Sequence, residues 1–256
     1  MKTAIKLVWV YFLFQFLGAL TGGMLTMLYN YLTSGSLDIT QVAYYERSST
    51  LLLGFVYMLI YLYMAGYLKD WREQLAPLSA TTLIWGFLGG VAMVNLSDIV
   101  VSQMTFLPDL MKETFDSLQL GWLGILCVSV LGPVLEELLF RGAITKVLLE
   151  KYEPITAILL SGMVFGVFHL NPVQVVSATL AGFFFAWLYY KTRNLLLCIL
   201  IHIFNNSLSV YLTKAYPEVE TTVELIGITW TVVLCAVSVV VLVLVLAVKQ
   251  LDRKNW

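Results

Sequence analysis

From Leu225 to Val248 the chain carries no charged residue, and from Val239 onward it is almost entirely valine and leucine. At about 1.5 Å per residue a helix of that length crosses the ~30 Å hydrocarbon core of a bilayer. Inside lipid each backbone N–H and C=O must find its partner within the segment, which restricts such a run to helix. Comparable runs recur along the whole sequence. Hydrophobic residues make up 60% of it and charged residues 12%, against roughly 25% charge in a soluble domain. The expectation is an all-α integral membrane protein. A net charge of −1 excludes a nucleic-acid partner, which requires a strongly basic surface.

Eight spanning helices are expected, at Leu7–Tyr29, Leu51–Leu68, Thr82–Val101, Gly121–Thr145, Ile155–Leu170, Val175–Tyr190, Leu195–Leu212 and Leu225–Val248. The first run is too long for a signal-peptide core and lacks a clear small-residue cleavage site, so it is retained as a span. Lys2, Lys6, Lys69, Arg72, Lys146, Lys151, Lys191, Arg193, Lys249, Arg253 and Lys254 then fall on one side, and Arg47, Lys112 and Lys214 on the other. With Arg141 set aside inside a motif, the bias puts both termini in the cytoplasm. Between the third and fourth spans, Leu107, Leu110, Met111, Phe115 and Leu118 alternate with Asp109, Lys112, Glu113 and Asp116. That pattern predicts a short helix lying on the outer interface. The chain reads as one membrane domain: N-terminal spans with the interfacial helix over 1–120, catalytic core helices over 121–213, and a lipid-facing C-terminal span over 214–256. Cys127, Cys198 and Cys235 all lie in apolar segments and read as small core residues, not as a disulfide framework.

Against this background Glu136, Glu137 and Arg141 stand out, because each charge at mid-bilayer costs roughly 2.5–3.5 kcal/mol. Glu137 and Arg141 are four residues apart and can pair on one helix face, while Glu136 is rotated about 100° away. Two later spans repeat the four-residue spacing, with Phe165 and His169 on one and His202 and Asn206 on the other. His169 and His202 are the two histidines of the whole chain. Gly162 and Gly166 share the face of His169, and small residues at that spacing let a neighbouring helix approach closely. Such a set is suited to activating water. An apolar setting makes a carboxylate a better base, histidine can orient or share the water proton, and a second histidine with an amide can stabilise an oxyanion. No serine or cysteine is placed by motif as a nucleophile.

The three pairs resemble the EExxxR, FxxxH and HxxxN motifs of the CPBP family, the CAAX proteases and bacteriocin-processing enzymes also called Abi proteins. Here they read Glu136-Glu137-Leu138-Leu139-Phe140-Arg141, Phe165-Gly166-Val167-Phe168-His169 and His202-Ile203-Phe204-Asn205-Asn206. Gly142, Leu170-Asn171-Pro172, Gly182 and Lys191-Thr192-Arg193-Asn194-Leu195 fit the same pattern. Ala186 stands where many members have a second glycine, and Leu196-Leu197-Cys198 replaces a common Trp-Ala-Pro-like approach to the third motif. The resemblance covers about Gly132 to Leu208. It implies an eight-helix fold with a cavity opening within the membrane. Glu136 and His169 would activate water, His202 and Asn206 would hold the oxyanion, and Glu137, Arg141 and Phe165 would give structural support.

The function expected is an intramembrane endopeptidase in a bacterial plasma membrane, acting on membrane-embedded or lipidated proteins and peptides. No cofactor is expected and the resemblance favours a metal-free reaction, although a glutamate with two histidines can also bind zinc. Two other classes compete: a non-catalytic peptide-binding immunity protein, and a proton-coupled transporter using Glu136. Against transport, the sequence has no internal repeat and no paired broken helices.

Overall fold

The computed structural model describes residues 1–35, 39–219 and 221–247, with side chains described from residue 48 in the second stretch. Val248, Lys249, Arg253 and Lys254, and the side chain of Arg47, lie outside the described residues. Ten helices and no strand occur among the described residues. They are α1 (Lys2–Ser34), α2 (Ile39–Met64), α3 (Trp71–Gln74), α4 (Ala80–Ser102), α5 (Lys112–Leu118), α6 (Trp122–Leu149), α7 (Pro154–Phe168), α8 (Pro172–Thr192), α9 (Leu196–Ala215) and α10 (Thr222–Ala247).

Six of these, α1, α4, α6, α8, α9 and α10, are long and apolar enough to cross a membrane. Of the eight spans expected, six meet that length and apolarity among the described residues. The second and fifth spans correspond to shorter apolar stretches, Ser48–Met64 and Pro154–Phe168. At 15 residues, α7 rises only about 22 Å, less than the ~30 Å hydrocarbon core, yet it joins the end that holds Tyr152 to the end that holds Asn171. Leu170, with φ 54, turns the chain, and Pro172 restarts it as the first residues of α8; proline suits that position because its missing N–H has no helical partner there.

Local signals set the other ends. Ser79 caps α4 by accepting from the Thr82 N–H at 3.1 Å. Arg193 ends α8 in the left-handed region, where its N–H reaches the Tyr189 carbonyl. The expected interfacial segment contains α5, whose Leu118 is buried while Leu110 before it is exposed.

Close packing at glycines draws the helices together. A Cβ added at Gly18 on α1 would lie 2.5 Å from the Gly54 nitrogen on α2, and one at Gly162 on α7 would lie 2.8 Å from the Phe183 nitrogen on α8. The face of α7 that carries Gly162 and Gly166 therefore meets α8 as expected. A hydrogen bond of 2.7 Å between Thr145 and Ser161, both fully buried, also pins α6 to α7.

The connections sort onto two ends. At one, the Met1 ammonium donates to the Tyr152 hydroxyl at 3.5 Å, Lys146 pairs with Asp70, and the Leu195 N–H donates to the Gln74 carbonyl at 2.6 Å. At the other, Thr222 donates to Asp98 and Asn171 donates to Asp109.

Candidate active site

The site is built where α6, α7 and α9 meet. The first motif lies on α6, its two glutamates between the π-helical stretches Cys127–Leu131 and Leu138–Thr145 and its Arg141 within the second, of the kind that accompanies functional positions in otherwise α-helical spans. Glu137 and Arg141 are both fully buried, and the Arg141 guanidinium donates to Glu137 Oε1 at 2.9 Å. The second guanidinium nitrogen reaches the Gly182 carbonyl on α8 at 3.5 Å. The cation sits among aromatic rings, with Phe165 at 4.2 Å, Phe185 at 5.1 Å and Phe140 at 5.9 Å from ring centroids. These contacts keep a charge in the membrane by pairing it and stacking it.

His202 joins both glutamates. Its Nδ1 lies 2.8 Å from Glu137 Oε1, and its Nε2 lies 3.8 Å from Glu136 Oε2. Glu137 Oε1 already accepts from Arg141, so Nδ1 carries the proton and donates. His169 is the residue that closes α7. Its Nδ1 lies 2.8 Å from the Phe165 carbonyl, which can only accept, so Nδ1 is again the protonated nitrogen. Its Nε2 lies 3.9 Å from Glu136 Oε2.

Both rings thus turn Nε2 toward one carboxylate oxygen. Glu136 Oε2 is itself buried and has no hydrogen-bond partner. Both gaps are too long for a direct hydrogen bond. Among the described residues no group of three or more His, Cys, Asp or Glu side chains is arranged to hold a metal ion.

Phe165 braces the set, edge-on to His169 at 4.9 Å and to His202 at 5.9 Å. Asn206 sits one turn further along α9, and its amide donates to the Val128 carbonyl at 3.0 Å. That carbonyl lacks a helical donor: the Gly132 N–H bonds to the Cys127 carbonyl, and the next residue, Pro133, has no N–H. Asn206 therefore closes a gap in the backbone of α6, and its amide has a second N–H beyond that bond.

Several contributors escaped the sequence reading. The Gly182 carbonyl lies a full helix away from Arg141 in the chain, and no spacing rule links them. The bond between His202 and Glu137 joins residues 65 apart. Tyr11 of α1, buried with its ring 4.6 Å from that of Phe168, comes within electrostatic reach of Glu136; one tyrosine in an apolar helix gives no signal. Asn171 stood out only as part of a flanking tetrapeptide.

The same region is matched by known proteins. Residues 118–208 match the model of a family described as Rce1-like, type II CAAX prenyl endopeptidase Rce1-like. A protein of Bacillus subtilis (strain 168), provisionally named membrane peptidase YdiL, is 35% identical over 115 residues, which cover 43% of this chain and 47% of that protein. The chain thus matches about half the length of this curated relative. No solved structure matches it at a significant level. Residues 118–208, which hold all three motifs, are thus similar to the Rce1-like CAAX protease family, in keeping with the resemblance of those motifs.

Proposed function

We propose that this protein is an intramembrane peptidase that hydrolyses peptide bonds of membrane-embedded or lipidated substrates with water activated at Glu136. One observation carries the reading: a buried carboxylate oxygen without a partner, 3.8 and 3.9 Å from the Nε2 atoms of two histidines. Gaps of that length around an unpartnered carboxylate oxygen suit a bridging water molecule, which donates to the carboxylate and hydrogen-bonds an imidazole nitrogen.

In the reaction, Glu136 with His169 takes a proton as the water oxygen adds to the substrate carbonyl carbon. That proton then passes to the departing amine. His202 can donate to the developing oxyanion from Nε2 when its ring carries both protons, and the Glu137 carboxylate at 2.8 Å offsets the charge. The second N–H of the Asn206 amide joins it. Glu137, Arg141 and Phe165 hold these groups in place. The reaction runs without a metal, both termini face the cytoplasm, and the membrane is the plasma membrane of a bacterium.

The test is purified protein incubated with libraries of lipidated and transmembrane peptides, with products read by mass spectrometry. Cleavage is expected from the parent and none from Glu136→Gln. Unchanged turnover after chelation and after zinc addition is expected as well. Turnover by Glu136→Gln would overturn the assignment, and loss of activity on chelation with recovery on zinc would overturn the metal-free route.

A further inference from the structure

Asn171 occupies the N-cap position of α8, where an asparagine side chain ordinarily accepts from an N–H of the first helical turn. Here it makes no such bond. Although only 1% exposed, its side chain is turned outward to the segment before α5. Its Oδ1 accepts from the Leu110 N–H at 3.0 Å, and its Nδ2 donates to Asp109 Oδ1 at 2.9 Å. The same Asp109 oxygen accepts from the Met111 N–H at 3.1 Å, which folds the segment around it. Between Asn171 and His169 stands Leu170, at φ 54. A non-glycine residue in that region is strained and persists only where its neighbours hold it.

We propose that Asp109 and Asn171 form a latch that positions His169, so that the segment entering α5 fixes the direction of the His169 ring toward Glu136. The inference rests on the peptidase reading above for its catalytic consequence, but its geometry is independent of it. The latch takes over the bonding capacity that would cap α8, and it stabilises the strained turn two residues from the histidine. Asp109 lies outside the family-matched residues 118–208, so this element belongs to the N-terminal part of the chain. Asn171 is a positioning residue, since it acts on the reaction through His169.

A reciprocal swap tests the latch. Asp109→Asn keeps an acceptor oxygen for both Asn171 and Met111 and should retain near-parental turnover. Asn171→Asp places two carboxylates face to face. Its kcat should fall by about 10- to 100-fold, the scale set by small misplacements of a reacting group, with KM unchanged. The double variant Asp109→Asn with Asn171→Asp restores a donor–acceptor pair across the latch, although the Met111 N–H loses the oxygen it shared, and should recover most of the kcat and part of the melting temperature lost in Asn171→Asp.

A second readout does not depend on turnover. With two histidines in the chain, protein labelled with ¹⁵N only at histidine has two sets of ring signals. Those of His169 should shift or broaden in Asn171→Asp and return in the double variant, while those of His202 stay in place. If the ring signals respond in this way but the parent cleaves no peptide, the latch stands and the peptidase reading fails. The latch is overturned if Asn171→Asp leaves the His169 signals and kcat at parental values, or if the swap restores neither.

Discussion

Glu136 and Glu137 are neighbours in sequence with identical chemistry, and their surroundings separate them. Glu137 is fully buried and its Oε1 accepts from Arg141 and His202, whereas Oε2 of Glu136 faces the Nε2 atoms of both histidines; Oε2 of each glutamate lacks a hydrogen bond. Removing one member of a buried pair leaves the other charge uncompensated, at about 3–5 kcal/mol. Glu137→Gln and Arg141→Ala should therefore lower the melting temperature in detergent and the yield of folded protein. Glu136→Gln should melt at or above the parental temperature, because a buried charge is removed, and should have no turnover. If Glu136→Gln unfolds while Glu137→Gln stays stable and inactive, the two roles are exchanged. The pairing of Glu137 with Arg141 was legible in the sequence, since it depends only on a four-residue spacing within one helix. The second partner of Glu137 was not, because His202 reaches it through the packing of α9 against α6. The same holds for Asn206, whose amide bonds to a backbone carbonyl that local spacing could not single out.

At the scale of the element, α6 departs from regular geometry before the motif and again within it, and a proline accounts for the first departure. Pro133 cannot donate, Gly132 donates to Cys127, and the Val128 carbonyl is left for Asn206 at 3.0 Å. Asn206→Ala should then destabilise the protein by about 1 kcal/mol, the cost of a buried carbonyl without a donor, tempered by how modest such bonds are in membranes. Pro133→Ala supplies an N–H at that turn, so the double variant should lose less stability than the sum of the single changes. Strict additivity in thermal melts would show that Asn206 does not serve the proline gap. A second prediction concerns Gly182, where an added Cβ would stand 3.0 Å from Gly162 Cα and 3.1 Å from Phe165 Cδ1. Both the backbone of α7 and the ring over Arg141 would have to move. Gly182→Ala should lower melting temperature and turnover together, and unchanged values for both would show that α7 and α8 have slack there. Helix type and order could be read from hydropathy because lipid leaves the backbone few choices. The short reach of α7 was legible as well, since the apolar run gave Ile155–Leu170 against the observed Pro154–Phe168; the turn at Leu170 and Asn171 was not, because strain and a distant hydrogen bond carry no hydropathy signal.

For the whole molecule, the sorting of connections onto two ends bears on how it sits in the bilayer. The end formed by Met1, Tyr152, Asp70, Lys146, Gln74 and Leu195 also gathers Lys2, Lys6, Lys69, Arg72, Lys151, Lys191 and Arg193. The opposite end, with Asp98, Thr222, Asp109 and Asn171, has Lys112 and Lys214. Lysine and arginine in short loops favour the cytoplasmic side, and this bias sets overall orientation. The basic end should therefore face the cytoplasm, and the latch before α5 the far side. Two exposed positions report on this directly: Glu73 beside α3 at the basic end and Glu113 in α5 at the other. In a background with Cys235→Ser, which leaves the buried Cys127 and Cys198, a cysteine at Glu113 should react with a membrane-impermeant maleimide in intact cells. A cysteine at Glu73 should react only after the membrane is opened. Reaction at Glu73 and not at Glu113 in intact cells would invert the orientation. Because Asn171 ties the Glu113 end to the turn bearing His169, the inverted outcome would also place the outward-leaning side of the site, and the segment that latches it, within reach of cytoplasmic substrates.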